Sequence, residues 1–189
     1  MPAPTKIETE RLILREWNDD DIPKSEAMNA CPDVMKYFVT PLSSQENLEM
    51  VTRVRKHFAD HGFGFWAVEL KGVESFIGLI GLAVPRFEAV FTPCVEIGWR
   101  LSKPYWGKGI ATEGATAAMD FGFNNLGLDE IVAFTLPINV PSRRVMEKLG
   151  MTYSENDDFD HPMVPDDHEY LRHVLYRMPR SKWMQRPTN

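Results

Sequence analysis

The sequence predicts an α+β fold: a mixed, mostly antiparallel sheet with a parallel strand pair at its centre, flanked by helices. Three observations carry this. The runs 63–70, 75–85 and 94–101 are rich in β-branched and aromatic residues and follow one another without a helix between them. An alanine-rich stretch with helical spacing comes next and leads into another strand-like run at 130–137, a β-α-β order. No internal repeat, low-complexity tract or linker divides the 189 residues, so one domain over 1–189 is expected.

The elements follow in order. Residues 7–17, with Ile13 alternating against Leu12 and Leu14, predict the first strand. Residues 18–30 predict a short helix capped by Asn18 or Asp19. Residues 43–62 predict an amphipathic helix, with Ser43 or Ser44 as its cap. Its apolar face is Leu48, Val51, Val54 and Phe58, and Gly62 ends it. The link 71–74 reads as a hairpin turn within a meander. A helix from about 107 to 125 follows, then the strand 130–137. A short helix over 139–150 is capped by Asn139 and closed by Gly150. Runs 151–156 and 169–178 predict two last strands around an acidic loop.

Composition narrows the class. Hydrophobic residues are 43% and charged residues 25%, as in ordinary globular proteins. The net charge of −6 speaks against nucleic acid as a partner. No run has the length of a spanning helix, and the first residues carry no signal-like apolar core, so no membrane partner and a cytoplasmic setting are expected. Cys31 and Cys94 form no metal or redox motif. His161, His168 and His173 match no metal template, and no metal is expected.

The stretch "KPYWGKGIATEG" (103–114) places Gly107 and Gly109 where a strand hands over to a helix. A helix N-terminus offers free N–H groups and partial positive charge, and glycine lets an anion approach closely. A P-loop reading fails, because Lys108 is followed by Gly109 rather than Ser or Thr. A dinucleotide fingerprint fails at Thr112, where a small residue is needed. The acidic pair Asp129–Glu130 also falls at the wrong end of its strand. A pyrophosphate turn of the form Arg/Gln-x-x-Gly-x-Gly/Ala is met at Gly109 and Ala111, with Trp106 at the first position. A ligand-free strand–helix corner is the plain alternative.

Here the chain resembles the GCN5-related N-acetyltransferase superfamily, most closely the branch holding the ribosomal-protein N-terminal acetyltransferases. "ETERLILRE" is similar to that branch's opening strand, and "VEIGWRLSKPYWGKGIATEG" to its acetyl-CoA strand and turn. "INVPSRRVMEKLGM" is similar to the following helix, in the pattern Asn-x-x-Ser…Glu-Lys-Leu-Gly-Phe. The branch shares Trp at position 106. The resemblance implies a parallel pair that splays into a V for the pantetheine arm. It implies acetyl-CoA as cosubstrate, held by backbone from Trp99, Arg100 and Leu101. The pyrophosphate would lie on the amides of Gly107, Lys108, Gly109, Ile110, Ala111 and Thr112. Asn139 would bond the pantetheine arm, or else act as a plain helix cap. Lys108, Arg143 and Arg144 would reach phosphates, or else be solvated.

The implied reaction is N-acetyl transfer to a primary amine by direct attack in a ternary complex. Glu96 is the base candidate, on one strand face with Gly98 and Arg100, against the alternative of a surface or Arg100-paired glutamate. Ser142 is the candidate acid for the departing thiolate, against a first-turn serine. Met146 stands where many relatives carry a tyrosine acid. The acceptor is expected to be a peptide N-terminus or a small-molecule amine, and the enzyme a monomer or homodimer. Acids in the loop 156–168 suit a cationic acceptor, or simply a solvated loop. A non-catalytic acyl-CoA sensor is the alternative function.

Overall fold

A computed structural model of the chain describes residues 6–186. The opening segment 1–5, part of the stretch examined for a signal, lies outside the described residues, as do 187–189. The elements are β1 (Ile7–Glu8), β2 (Leu12–Arg15), α1 (Asp21–Ala30), α2 (Ser44–His61), β3 (Phe65–Leu70), β4 (Glu74–Ala83) and β5 (Glu96–Leu101). They continue with α3 (Ile110–Asn124), β6 (Glu130–Thr135), α4 (Val140–Lys148), β7 (Thr152–Tyr153), β8 (Phe159–Asp160), β9 (Arg172–Pro179) and α5 (Arg180–Met184).

The sheet runs β1-β2-β3-β4-β5-β6-β9-β7, with β8 added on β9. All pairs are antiparallel except β5–β6. The expected mixed sheet with a central parallel pair is what the chain forms. The first strand is broken in two, because Thr9 N–H turns back to the Leu12 carbonyl at 3.0 Å. Helix α3 starts at Ile110, not 107. Gly107 and Gly109 sit at φ 72° and 77°, the left-handed region no helix interior accepts. The short β8 and α5 were not foreseen, since two to five residues carry no periodicity.

Helix α2 begins with a full capping box. Ser43 Oγ accepts the Glu46 N–H, and Glu46 accepts the Ser43 N–H at 2.8 Å. Val51, Val54 and Phe58 are buried as expected, but Leu48 is 46% exposed. Its place inside is taken by Asn47, fully buried, which accepts from Ser25 Oγ at 3.1 Å and Asn29 Nδ2 at 2.8 Å. A polar network thus locks α1 to α2 on one face of the sheet. On the other face α3 packs on β4 and β5 through Ala115, Ala118, Met119 and Phe123, all buried.

Candidate active site

Positive φ, rather than lack of space, is what requires glycine in the turn 103–109. A Cβ at Gly107 would meet nothing within 4 Å. The turn leaves the amides of 107–112 without a carbonyl or side-chain partner among the described residues, the first return being Glu113 N–H to Gly109 O at 3.0 Å. These donors converge at the N-terminus of a fifteen-residue helix.

The opening segment braces this turn, which was not read from the sequence. Arg11 Nη1 donates to Lys108 O at 3.0 Å, and its Nε donates to Glu113 Oε2 at 2.6 Å. Thr9 Oγ1 and the Arg11 N–H both bond Glu113 Oε1, at 2.6 and 3.0 Å. The Glu113 carboxyl is consequently held below its ordinary range, although burial opposes this. Trp106 spends its indole N–H on Leu101 O at 2.7 Å, pinning the turn to the end of β5.

Strands β5 and β6 pair at a single position, Glu96 with Val132, and separate beyond it. Pairing with β4 persists over the whole of β5. Ser102 N–H donates to Ile77 O and Val132 N–H donates to Val95 O. By strand parity Trp99 and Leu101 direct backbone groups into the gap, while Arg100 spends its own on Leu79. This corrects the expected backbone row: Arg100 leaves it, and the Leu101 carbonyl is taken by Trp106.

Glu96 sits where the V closes. It makes no ion pair with Arg100, whose Nη1 donates instead to Asn29 Oδ1 at 2.7 Å. Burial pushes the Glu96 carboxyl up to about 8, although solvent still partly reaches the residue. The room that Gly98 leaves is filled: a Cβ there would lie 2.9 Å from the Phe65 ring. Beyond Glu96 on the same sheet face, Phe134 joins Phe87, Phe91, Phe159, His161 and His173. Ring centroids are 4.6 Å apart for Phe87–His161 and 4.8 Å for the two histidines. Burial lowers His161 to about 4, so its ring is neutral at pH 7.

Helix α4 follows β6 and packs on it and on α3. Asn139 caps it, accepting the Ser142 N–H at 3.4 Å and donating to Thr135 Oγ1 at 2.8 Å. The Ser142 hydroxyl has no protein partner among the described residues. Met146 is buried and brings no proton donor. Arg143 does not stand free for phosphate. It donates to Tyr176 Oη and Pro137 O, both at 3.1 Å, and packs on the Tyr153 ring. Arg144 is exposed on the rim of a depression of about 240 Å³ beside it. Lys108 Nζ lies 5.8 Å from the Tyr105 ring centre.

The acidic loop is partly self-neutralised. Asp157 meets Arg177 at 3.0 Å, Asp160 meets Arg172 at 3.2 Å, and Asp158 accepts from Tyr153. Cys94 has its thiol pushed up to about 11, mainly by burial, which leaves it a poor nucleophile. Among the described residues no group of His, Cys, Asp or Glu is placed to hold a metal ion, and no helix is long and apolar enough to cross a membrane.

A family-wide sequence pattern described as an acetyltransferase (GNAT) domain matches residues 11–152. The chain belongs to the GNAT acetyltransferase family. This GNAT protein is 30% identical over 177 residues to the uncharacterized N-acetyltransferase YnaD of Bacillus subtilis, covering 94% of this chain and 98% of the relative. It is 31% identical over 197 residues to the FsC-acetyl coenzyme A-N(2)-transacetylase of Aspergillus fumigatus, covering 98% and 82%. A GNAT-family acetyltransferase structure from Bacillus anthracis matches with TM-score 0.75 and 28% identity over 94% of this chain and 99% of that one. The Mycobacterium smegmatis RimJ complex with CoA-disulfide shares the fold at TM-score 0.72 and 20% identity, over 97% and 88%. The chain is thus an acyltransferase of a family that uses acetyl-CoA, and the free amides and open strand edge fit that cosubstrate.

Proposed function

We propose that this GNAT enzyme acetylates a primary amine, on a peptide N-terminus or a small molecule, by direct attack within a ternary complex. The observation that carries it is Glu96, unpaired at the closing point of the V with a carboxyl poised near 8. Acetyl-CoA supplies an activated thioester. The amides of 107–112 hold its pyrophosphate against the α3 N-terminus. Backbone of Trp99 and Leu101 orients the pantetheine arm, and a β5 N–H stabilises the oxyanion. Glu96 removes the amine proton through water. Ser142 donates to the departing sulfur. Asn139 and Arg144 support the arm and phosphates from α4.

Thiol release from acetyl-CoA across peptides, amino acids, polyamines and aminoglycosides tests this. Release with one class supports the reading and names the acceptor. Silence across all classes, with acetyl-CoA shown to bind, contradicts it.

A further inference from the structure

Arg100 lies on the same face of β5 as Glu96, four residues along, which is about 13 Å at roughly 3.3 Å per residue. Its surroundings are unusual for a guanidinium. Arg15 meets Asp21 at 2.7 Å and Glu69 at 3.5 Å, and Arg177 meets Glu130 at 2.8 Å and Asp157 at 3.0 Å. Arg100 meets no carboxylate among the described residues. Its one side-chain hydrogen bond among the described residues goes to the neutral amide oxygen of Asn29, and its Nε is buried without a partner there. Arg55 and Arg186 also leave Nε unpaired, but each of those guanidiniums has an aspartate within 4 Å.

The site is built rather than incidental. Asn29 is fully buried and fixed by its bond to Asn47, so the amide that orients Arg100 is itself oriented. The Phe38 ring lies over the guanidinium at 4.1 Å from its centroid and is 42% exposed. Tyr170 Oη donates to Lys36 O at 3.1 Å, joining the loop after β8 to the loop that carries Phe38. Solvent still partly reaches Arg100, but its guanidinium is largely desolvated, and a desolvated cation without a counter-charge carries a cost that a bound anion offsets.

We propose that Arg100 anchors a carboxylate of the acceptor, so that the substrate is an amine that also carries a carboxylate, an amino acid or peptide rather than a polyamine or aminoglycoside. The free Nε–Nη2 edge of the guanidinium offers two parallel donors to the two oxygens of a carboxylate. The Phe38 ring slides aside to admit it. This substrate class rests on the acetyl-transfer reading of the same site, and the test separates the two.

The test uses ω-amino carboxylates from glycine to aminocaproate and their matched carboxamides. Binding to the CoA-loaded protein is followed by calorimetry, and turnover by thiol release. The expected result is binding of at least one carboxylate about tenfold or more tighter than its carboxamide. Arg100→Gln and Arg100→Met abolish that preference while acetyl-CoA affinity and carboxamide turnover hold. The methionine variant melts within about 4 °C of the parent, because the removal of a cation with no counter-charge offsets the donor lost by Asn29 Oδ1. Equal binding of carboxylates and carboxamides by the unaltered protein overturns the proposal. So does a preference that survives Arg100→Gln, or loss of acetyl-CoA affinity in that variant. Arg100-dependent carboxylate binding without turnover of any amine keeps the anchor and removes the acetyl-transfer reading.

Discussion

The proposed mechanism rests its proton transfer on one side chain, Glu96. Desolvation favours its neutral form, so the folded protein holds a proton that the unfolded chain releases from about pH 4.5 upward. Stability therefore falls as pH rises from there and levels off above about 8. A glutamine at this position has no such penalty. Glu96→Gln is expected to raise the melting temperature at pH 9 and to leave it nearly unchanged at pH 4, as read by calorimetric scans at both values. A variant less stable at pH 9 would mean that Glu96 makes a compensating contact. The sequence showed which strand face carries Glu96, but not its isolation. Arg100 stood two positions away on that face as an obvious partner, and only the fold directs it to Asn29.

At the scale of elements, the turn into α3 and the opening of β5 from β6 are one device. Gly109 needs its positive φ, and a β-branched side chain there would force the turn to change. Gly109→Val is expected to weaken acetyl-CoA binding by about 100-fold or more while circular dichroism stays native, since the amides would no longer converge. Retained affinity would take the pyrophosphate away from this turn. The glycines and the strand-to-helix change were plain in the sequence. The brace was not: Arg11 and Glu113 are about a hundred residues apart, and no local pattern joins them. Helix α4 shows the reverse case. Its Arg143 looked available for phosphate, yet packing against Tyr153 and Tyr176 engages it.

Across the whole molecule, the two faces of the sheet divide the labour. One packs α3 and presents its free amides. The other carries α1, α2 and the aromatic cluster, with Glu96 and Arg100 projecting from the strand between. Strand order and the parallel pair were legible because hydrophobic patterning and the β-α-β order report them directly. The proposed acceptor side was not, since it draws on Asn29, Phe38, Phe65, Phe134 and the loop after β8, segments far apart in the chain. The acidity of the loop 156–168 suggests a cationic acceptor, but Arg177 and Arg172 already pair with two of its acids, Asp157 and Asp160. In the proposed mechanism both faces serve one base, Glu96, whose carboxyl loses its proton near pH 8. The most direct measurement is the pH dependence of kcat/KM for acetyl transfer, in the parent and in Glu96→Gln. The account predicts a rate rising with pH to a plateau with a midpoint near 8, and a variant slower by about 10²–10⁴-fold that lacks this limb. An unchanged limb in the variant, or unchanged rates, would contradict it.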